Sequence, residues 1–574
     1  MILVFGGTTE GRKAVEVLEE GGSPYFYSTK TGEQDITLHH GQRIDGALDE
    51  EAMRAFCQAQ HIRLIVDAAH PFASQLHQTI AQVSKTLNIP AIRYERIYPE
   101  HDPEITWIDD YSQIPRDIHS LLATTGVQSI SKLKPLEAEG IRIYYRILQR
   151  ESSIALALKQ GASPEQLCYY EDPQDIPVEA ETILLKESGL SGGFPEKVEA
   201  AKSRGMRIIA LKRPETLAFF TIVNGPYGLR RMVEKLLPEF YPLHSGLTTG
   251  TCATAAAVAA ALRLLKKEKP EEVPVLLPDG ETIYVPVSYS EEYASVFKDA
   301  GDDPDVTNGL EIRASVKTSE TFEIIGGEGV GRFTLPGFDY PPGEAAINKA
   351  PREMIRQNLE SYGVPLQVTI SVPKGAEIAR RTFNPRLGIE GGISIIGVSG
   401  IVKPFSEEAF IESIRKCMTV AKASGSERVV INSGGKSERF VRALYPTLPQ
   451  QAFVEYGNYI GETLKIAHEL NIKKVTLGVM LGKAVKLAQG HLDTHSRKAT
   501  MDKDFIYTML REAGIETDIS DITLARELWE KIPKEKTQDF VRVVISHCET
   551  FCKPLLPEGT LTTLLIDDEG TIYS

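Results

Sequence analysis

Residues 2–11 read ILVFGGTTEG. Four apolar residues suited to a buried strand lead into a turn with Gly6, Gly7 and Gly11, and residues 11–20 have helical spacing. A strand, a glycine turn and a helix form the start of a dinucleotide-binding βαβ unit, in which the pyrophosphate lies at the helix N-terminus. The match to G-x-G-x-x-G is partial, and a turn needed only for packing is the alternative. The predicted cofactor residues here are Gly6, Gly7, Thr8, Thr9, Gly11 and Arg12.

Short apolar strands alternate with helical stretches through the first 240 residues. This alternation predicts α/β structure over 1–240, with two Rossmann-like parallel-sheet lobes at 1–128 and 129–240. The stretch 236–245 contains two prolines and no periodicity, which indicates a junction. For 244–574 we predict an α+β domain (244–375) followed by an α/β domain (376–574) with a strand near 393–397.

The predicted second strand ends in Tyr27-Ser28-Thr29-Lys30 and lacks an acid. A site for NADH usually has Asp or Glu at this place, bonded to the ribose hydroxyls. Hydroxyls and a cation suit a 2′-phosphate, so Ser28 and Lys30 favour NADPH over NADH, with a plain polar turn as the alternative. His70 follows the third strand, at the sheet edge where such folds bind ligands, and is our candidate proton donor.

The composition is that of an acidic globular protein. Its 574 residues carry 64 Lys and Arg against 78 Asp and Glu, a net charge of −14. This balance argues against nucleic-acid and anionic-membrane partners, which need a basic face. The longest near-apolar stretch, 252–262, is shorter than the ~20 residues of a membrane span. We expect a cytoplasmic enzyme and leave homo-oligomerisation open.

Four motifs of the first half occur in the order typical of one family: GGTTEGR (6–12), DAAHPFA (67–73), LLKESGLSGG (184–193) and ALKRP (210–214). They make residues 1–240 resemble the precorrin-6A and cobalt-precorrin-6A reductases of corrin-ring synthesis. The resemblance implies NADPH and a tetrapyrrole in the cleft between the two lobes. The residues that we assign to the tetrapyrrole are Lys186, Ser188, Gly189 and Arg213.

The segment 298–307, KDAGDDPDVT, places four carboxylates close together. At least one pKa should rise if they converge and are partly buried, which suits a general base. Asp299, Asp302 and Asp303 are therefore candidate catalytic residues, and a solvated acidic turn is the alternative. The pair His491 and His495 lacks the Glu of a zinc-protease helix, and no protein metal is predicted.

The second half carries long motifs in a fixed order: TTGTCATAAA (248–257), KDAGDDPDVT (298–307), GEAAINKAPREMI (343–355), TFNPRLGIEGGISIIGVSGIV (382–402) and GKAVKLAQGHLDTHSR (482–497). They make residues 244–574 resemble the cobalt-precorrin-5B C(1)-methyltransferases. The resemblance implies S-adenosylmethionine as the methyl donor and a cobalt-containing ring as the substrate. We place the donor at the glycine turns with Gly391, Gly392, Gly434 and Gly435, and the substrate at Thr248, Thr249, Thr251, His491, His495 and Arg497.

The two family reactions are consecutive, so the sequence predicts a bifunctional enzyme that methylates cobalt-precorrin-5B and reduces the product. Two alternatives stay open. One is a monofunctional reductase with a non-catalytic, corrinoid-binding C-terminal half. The other is a nucleotide-sensing binding protein without turnover.

Overall fold

A computed structural model describes residues 1–30, 34–496 and 498–574. The chain forms two compact units. The first comprises Met1–Ser245 and Pro274–Tyr284, and the second comprises Gly246–Val273 and Val285–Ser574. Over these described ranges, no helix combines the length and the apolar character needed to cross a bilayer.

The first unit begins with a six-stranded parallel sheet whose strands are apolar runs, and apolar clusters cover both of its faces. Its elements are β1 (Ile2–Phe5), α1 (Thr9–Glu19), β2 (Tyr25–Thr29), β3 (Gly41–Asp45), α2 (Glu50–Ala59), β4 (Leu64–Asp67), α3 (Ser74–Leu87), β5 (Ala91–Tyr94) and, from later in the chain, β12 (Thr221–Val223) and α7 (Pro226–Leu236). The strand order is β12-β5-β4-β1-β2-β3.

A second six-stranded parallel sheet belongs to the same unit. Its elements are β6 (Thr106–Ile108), β7 (Ser120–Ala123), α4 (Ile130–Ala138), β8 (Arg142–Ile147), α5 (Glu151–Lys159), β9 (Leu167–Tyr169), β10 (Thr182–Lys186), α6 (Phe194–Ser203) and β11 (Arg207–Leu211). The order β6-β11-β10-β7-β8-β9 is that of the first sheet, except that the edge strand β6 comes first along the chain, whereas β12 comes last. The other five strands of each sheet follow the doubly wound dinucleotide-binding topology. The predicted parallel sheets are confirmed.

The residues that form each of the two sheets differ from the expected division into 1–128 and 129–240. The second sheet already begins at β6, before residue 128, and β12 with α7 returns to the first sheet. Strand–helix alternation is the same in both sheets, so the sequence pattern does not show to which sheet a strand adds.

The second unit starts with mixed β-structure around an alanine-rich helix. Strands β14 (Glu272–Leu276) and β15 (Thr282–Pro286) pair with each other, and most of their residues belong to the first unit. The elements of the second unit here are β13 (Gly246–Leu247), α8 (Thr249–Lys266), β16 (Ser288–Tyr289), β17 (Ala294–Phe297), β18 (Glu311–Thr318), β19 (Glu323–Gly326), β20 (Arg332–Phe333), α9 (Lys349–Glu360), β21 (Leu366–Ser371), α10 (Gly375–Ala379), β22 (Ile389–Glu390) and β23 (Ile401–Val402). Helix α8 packs against β17, β18 and α9, because its alanines let neighbours approach closely.

The rest of the second unit is a second type of α/β sheet. Its elements are α11 (Glu407–Ala423), β24 (Val429–Asn432), α12 (Gly435–Arg442), β25 (Phe453–Glu455), α13 (Ile460–Glu469), β26 (Lys474–Met480), α14 (Leu481–Ala488), α15 (Lys503–Glu512), α16 (Leu528–Lys531), α17 (Thr537–Cys552), β27 (Thr560–Ile566) and β28 (Ile572–Tyr573). The order is β25-β24-β26-β27-β28, with only the β27–β28 pair antiparallel.

One predicted strand of this unit is wrong. Residues 393–397 form only isolated bridges, from Ile393 to Val330 and from Ile395 to Ile347. Gly391, just before this stretch, and Gly397, its last residue, adopt positive φ, which interrupts regular pairing.

Candidate functional site

The turn after β1 is built around the side chain of Tyr27. A Cβ on Gly6 would lie 2.1 Å from Tyr27 Oη, and one on Gly11 would lie 2.8 Å from the same oxygen, so both positions require glycine. The Gly7 N–H donates to Tyr27 Oη at 3.0 Å and to Gln34 Oε1 at 3.2 Å. Packing against Tyr27 is therefore sufficient to explain the glycines at positions 6 and 11. Gly7, by contrast, is exposed.

Thr8 fixes this turn to the loop after β4. Its hydroxyl accepts from the Gly11 N–H at 3.0 Å as the cap of α1, and donates to the Ala68 carbonyl at 2.7 Å. Thr9 and Arg12 are exposed at the same helix end. Gly6, Gly7, Thr8, Thr9 and Arg12 thus lie together at the carboxyl edge of the first sheet, whereas Gly11 is buried.

The end of β2 contains a feature that the sequence analysis missed. Ser28 is buried and Lys30 is exposed, but Asp45 of the neighbouring β3 lies beside this edge. Its carboxylate accepts from Thr29 Oγ1 at 3.0 Å and pairs with Arg43 at 2.9 Å. An acid therefore lies close to the predicted 2′-phosphate position, together with a second cation.

A buried ion pair joins the two lobes of the first unit. Arg96 pairs with Glu10 at 2.9 Å and donates to the Ser188 carbonyl at 2.7 Å, while the Ser191 hydroxyl donates to Glu10. Helix α1 of the first lobe is thereby tied to the loop after β10 of the second. No motif marked Arg96, because it lies in a connection between the sheets.

His70 lies in this cleft among cations. Burial and the charges of Arg96 and Lys186 lower its pKa to about 3, so the imidazole is neutral at physiological pH. The Phe72 N–H donates to His70 Nδ1 at 3.2 Å, which places the ring proton on Nε2. His70 can therefore offer a hydrogen bond but does not carry an imidazolium proton.

Three cations of the second lobe contact backbone carbonyls or an aromatic ring. Lys186 and Lys197 each have a pKa of about 8, because burial removes water and nearby cations disfavour a further charge. Lys197 donates to the Gly192 carbonyl at 2.8 Å, and Arg146 donates to the Pro173 carbonyl at 2.8 Å. Within the described part of the chain none of the three forms a salt bridge, which suits an anionic ligand.

The other predicted substrate residues of this lobe are engaged locally. Ser188 Oγ donates to the Gly192 carbonyl at 3.1 Å. Gly189 has a φ of +70°, and a Cβ there would lie 2.9 Å from the Ile97 carbonyl oxygen. Arg213 pairs with buried Glu187 and lies 3.7 Å from the centre of the Tyr98 ring.

In the second unit, three predicted substrate residues anchor the glycine-rich segment 394–400. Thr248 caps α8, accepting from the Thr251 N–H at 3.1 Å. Thr251 Oγ1 donates to the Gly400 carbonyl at 2.6 Å, and Thr249 Oγ1 accepts from the Ile396 N–H at 2.8 Å. These hydroxyls hold the segment against the start of α8.

The acidic loop lies beside the same segment. Asp303 accepts from the Phe405 N–H at 3.1 Å, and Asp299 and Asp302 are exposed. Burial alone would raise the pKa of Asp305, but the Lys298 ammonium at 2.7 Å and hydrogen bonds lower it. The pKa of Asp305 is therefore lowered, because the buried Lys298 ammonium pairs with its carboxylate. A raised pKa among Asp299, Asp302 and Asp303 stays a prediction.

The remaining candidates lie in two places. Gly392 packs against the Gly329 backbone, where a Cβ would lie 2.1 Å from the Gly329 oxygen, and Gly391 has open space around it. Gly434 and Gly435 follow β24 at the carboxyl edge of its sheet. The loop with His491 and His495 lies against the turn after β25, where the Thr494 N–H donates to the Asn458 carbonyl at 3.0 Å. Arg497 lies outside the described residues.

Sequence comparisons identify both parts of the chain. Residues 1–226 match the family model described as precorrin-6x reductase CbiJ/CobK, and residues 238–404 match the model described as CbiD. A cobalt-precorrin-5B C(1)-methyltransferase from Prosthecochloris aestuarii is 44% identical over 345 residues, which cover 56% of this chain and 94% of that protein. One from Geobacillus sp. is 42% identical, covering 53% of this chain and 88% of that protein.

Two solved structures also match. The crystal structure of cobalamin biosynthesis protein (cbiD) from Archaeoglobus fulgidus is 32% identical, with a TM-score of 0.26, over 48% of this chain and 85% of that chain. CobK precorrin-6A reductase is 18% identical, with a TM-score of 0.33, over 41% of this chain and 97% of that chain. Because both TM-scores are low, the assignment rests on sequence similarity. The chain belongs to the cobalt-precorrin-5B C(1)-methyltransferase family through its C-terminal part and carries a CbiJ/CobK precorrin-6x reductase domain at its N-terminus.

Proposed function

We propose that the chain catalyses two consecutive steps of corrin-ring synthesis. The C-terminal part methylates C1 of cobalt-precorrin-5B with S-adenosylmethionine, giving cobalt-precorrin-6A, and the N-terminal part reduces this product with NADPH to cobalt-precorrin-6B. The observation that carries the proposal is the fusion of both families in one chain, which supports a bifunctional enzyme of cobalamin biosynthesis. A cytoplasmic location and homo-oligomerisation stay predictions.

For the reductase, the turn at 6–11 fits a dinucleotide, because exposed backbone meets the N-terminus of α1 at the switch point between β1 and β4. Arg12 and Lys30 would bind phosphates there, and NADPH would supply the hydride. Lys186, Lys197 and Arg146 would bind the acetate and propionate groups of the tetrapyrrole. His70, being neutral, would orient the substrate through its Nε2 proton.

For the methyltransferase, we place the donor at the turn with Gly434 and Gly435, after the interior strand β24. S-adenosylmethionine would supply an electrophilic methyl group, so the protein's part is to position both reactants. The tetrapyrrole would lie at the α8 N-terminus, where Thr248 and the acidic loop with Asp299 and Asp302 meet the segment 394–400.

The test is anaerobic incubation of the whole chain with cobalt-precorrin-5B, followed by mass spectrometry. With both cofactors the product should gain one methyl group and two hydrogens, and each gain should depend on its own cofactor. Reduction of supplied cobalt-precorrin-6A without any methylation would favour a monofunctional reductase. No mass change with folded protein would contradict both activities.

A further inference from the structure

Helix α3 places a second histidine against the loop that carries His70, and the proposed function does not use it. His77 Nε2 lies 3.1 Å from the His70 carbonyl oxygen, and His77 Nδ1 lies 2.6 Å from Oδ2 of Asp67, which ends β4. The Asp67 side chain is fully buried, and that of His77 is 13% exposed. The pair is therefore an interior contact, unlike exposed ion pairs, which contribute little.

Both ring nitrogens of His77 face acceptors. The Asp67 carboxylate also accepts from Arg93 Nη1 at 3.0 Å and from the Ala69 N–H at 3.2 Å, so donors surround it. A backbone carbonyl oxygen can only accept. The His77 ring therefore makes both of its hydrogen bonds only when each nitrogen carries a proton, and this imidazolium forms a charge-assisted bond to Asp67.

The loop is fixed along its whole length. Arg93 Nη1 donates to the carbonyls of Asp67 at 3.2 Å and Ala69 at 2.9 Å. The Thr8 hydroxyl donates to the Ala68 carbonyl at 2.7 Å. With the contact from α3, four successive carbonyls of this loop accept from side chains that lie in three other parts of the chain.

His70 needs this support because its ring has one donor to offer. The Phe72 N–H occupies Nδ1, and no residue that the structure describes bonds Nε2. The His70 carbonyl is held by the Ala73 N–H at 2.8 Å and by His77. Since the backbone sets where the ring lies, losing one of these two bonds would displace the Nε2 proton, and small displacements of a positioned group lower a rate steeply.

We infer that His77, paired with Asp67, positions His70 for the reduction by holding its backbone carbonyl. This inference rests on the proposed reductase function and adds to it a residue on α3. His77 acts through His70 and is a positioning residue, not a catalytic one.

The test compares two variants of His77 in the full chain, with NADPH oxidation measured on supplied cobalt-precorrin-6A. His77→Asn keeps an N–H group near the place of Nδ1, toward Asp67, but is too short to reach the His70 carbonyl. His77→Gln keeps an N–H group near the place of Nε2. His77→Asn should lower kcat roughly 10-fold, while His77→Gln should retain most of it, and the KM for NADPH should change less than about twofold in both.

A double-mutant cycle shows whether His77 acts through His70. His70→Ala should also lower kcat, and adding His77→Asn to it should lower kcat by less than about twofold more, because the group that His77 positions is gone. The matched control is Thr86→Ala on the same helix, since this exposed hydroxyl bonds only the Gln82 carbonyl of α3. Its kcat should equal that of the parent.

The outcomes separate the inference from the function on which it rests. Parental kcat in folded His77→Asn, equal losses in His77→Asn and His77→Gln, or losses that multiply in the double variant would each overturn the inference and leave the reductase proposal intact. A parent chain that binds NADPH but does not reduce cobalt-precorrin-6A would overturn both.

Discussion

The role of His70 depends on its neighbours more than on its own chemistry. A histidine in a ligand cleft suggests an acid, but the surrounding cations stabilise the neutral ring. Of these cations, Arg96 pairs with Glu10, whereas Lys186 forms no salt bridge with any residue that the structure describes.

The first prediction concerns the protonation of this residue. Reduction by the parent should show no pH dependence attributable to His70 between pH 5 and 8, because its pKa lies near 3. His70→Gln keeps a side-chain N–H and should retain most of the rate, with an unchanged pH profile. NADPH oxidation is the measurement, and exposed His119→Gln is the control. An inflection near pH 6.5 that disappears in His70→Gln would contradict this assignment.

The second prediction concerns the glycine turn. Gly6→Ala should lower the free energy of unfolding by ~1–3 kcal/mol, because its Cβ would meet the buried Tyr27 ring. It should also weaken NADPH binding, since the turn has to move. Urea unfolding and NADPH fluorescence report the two effects.

Gly482→Ala provides the comparison for Gly6→Ala, because nothing lies within 4 Å of its Cβ position in helix α14. Its unfolding free energy should change by less than about 1 kcal/mol. Equal losses for the two variants would show that the contact with Tyr27 does not matter.

At the scale of elements, helix α7 depends on a residue far along the chain. Glu281 accepts from the Tyr227 N–H at 3.0 Å and from the Gly228 N–H, which lie in the first turn of α7, where backbone N–H groups have no acceptor within the helix. Burial raises the pKa of Glu281 to about 7, and the two N–H groups offset this only in part. The segment 274–284, which contains Glu281, belongs to the first unit.

The third prediction is a pH dependence with a defined sign. A raised pKa means that the fold favours the protonated carboxyl, so this stabilisation is complete below the unfolded value of 4.5 and is lost as pH rises through about 7. Between pH 5 and 8 the parent should therefore lose about 2–3 kcal/mol relative to Glu281→Gln. Urea unfolding at both pH values measures it, with exposed Glu272→Gln as the control. If the free energy of unfolding changed with pH equally in the parent and in Glu281→Gln, the raised pKa of Glu281 would be contradicted.

At the scale of the whole molecule, the two families are not joined by a simple end-to-end linker. The first unit consists of two separate stretches of the chain, Met1–Ser245 and Pro274–Tyr284. Helix α8, which belongs to the second unit, lies between them in the sequence. Separating the families at residue 245 therefore removes the cap of α7 from the reductase.

The fourth prediction follows from that arrangement. In the full chain the amides of Tyr227 and Gly228 should be protected from hydrogen exchange, because both donate to Glu281. In a fragment of residues 1–245 they should exchange much faster, while amides of the central strand β1 stay protected. Exchange followed by mass spectrometry or NMR distinguishes these cases. Equal protection of α7 in both proteins would show that another group caps it.

The local sequence pattern was sufficient to predict those features that depend on interactions between neighbouring residues. Contiguous apolar runs correctly predicted strands such as β1 and β5, and the linear motifs identified both families, which the comparisons confirm. Glycine turns were located for the same reason, since their backbone requirements are set by adjacent residues.

The sequence by itself determined the two families, the parallel sheets of the first half and the positions of the glycine turns. Only the tertiary structure decided that Arg96 ties the two lobes together, that Glu281 caps α7, and that His77 joins Asp67 to the His70 carbonyl. The physical reason is that burial and ion pairing depend on which distant strands become neighbours, and an alternating pattern of strands and helices does not specify that order.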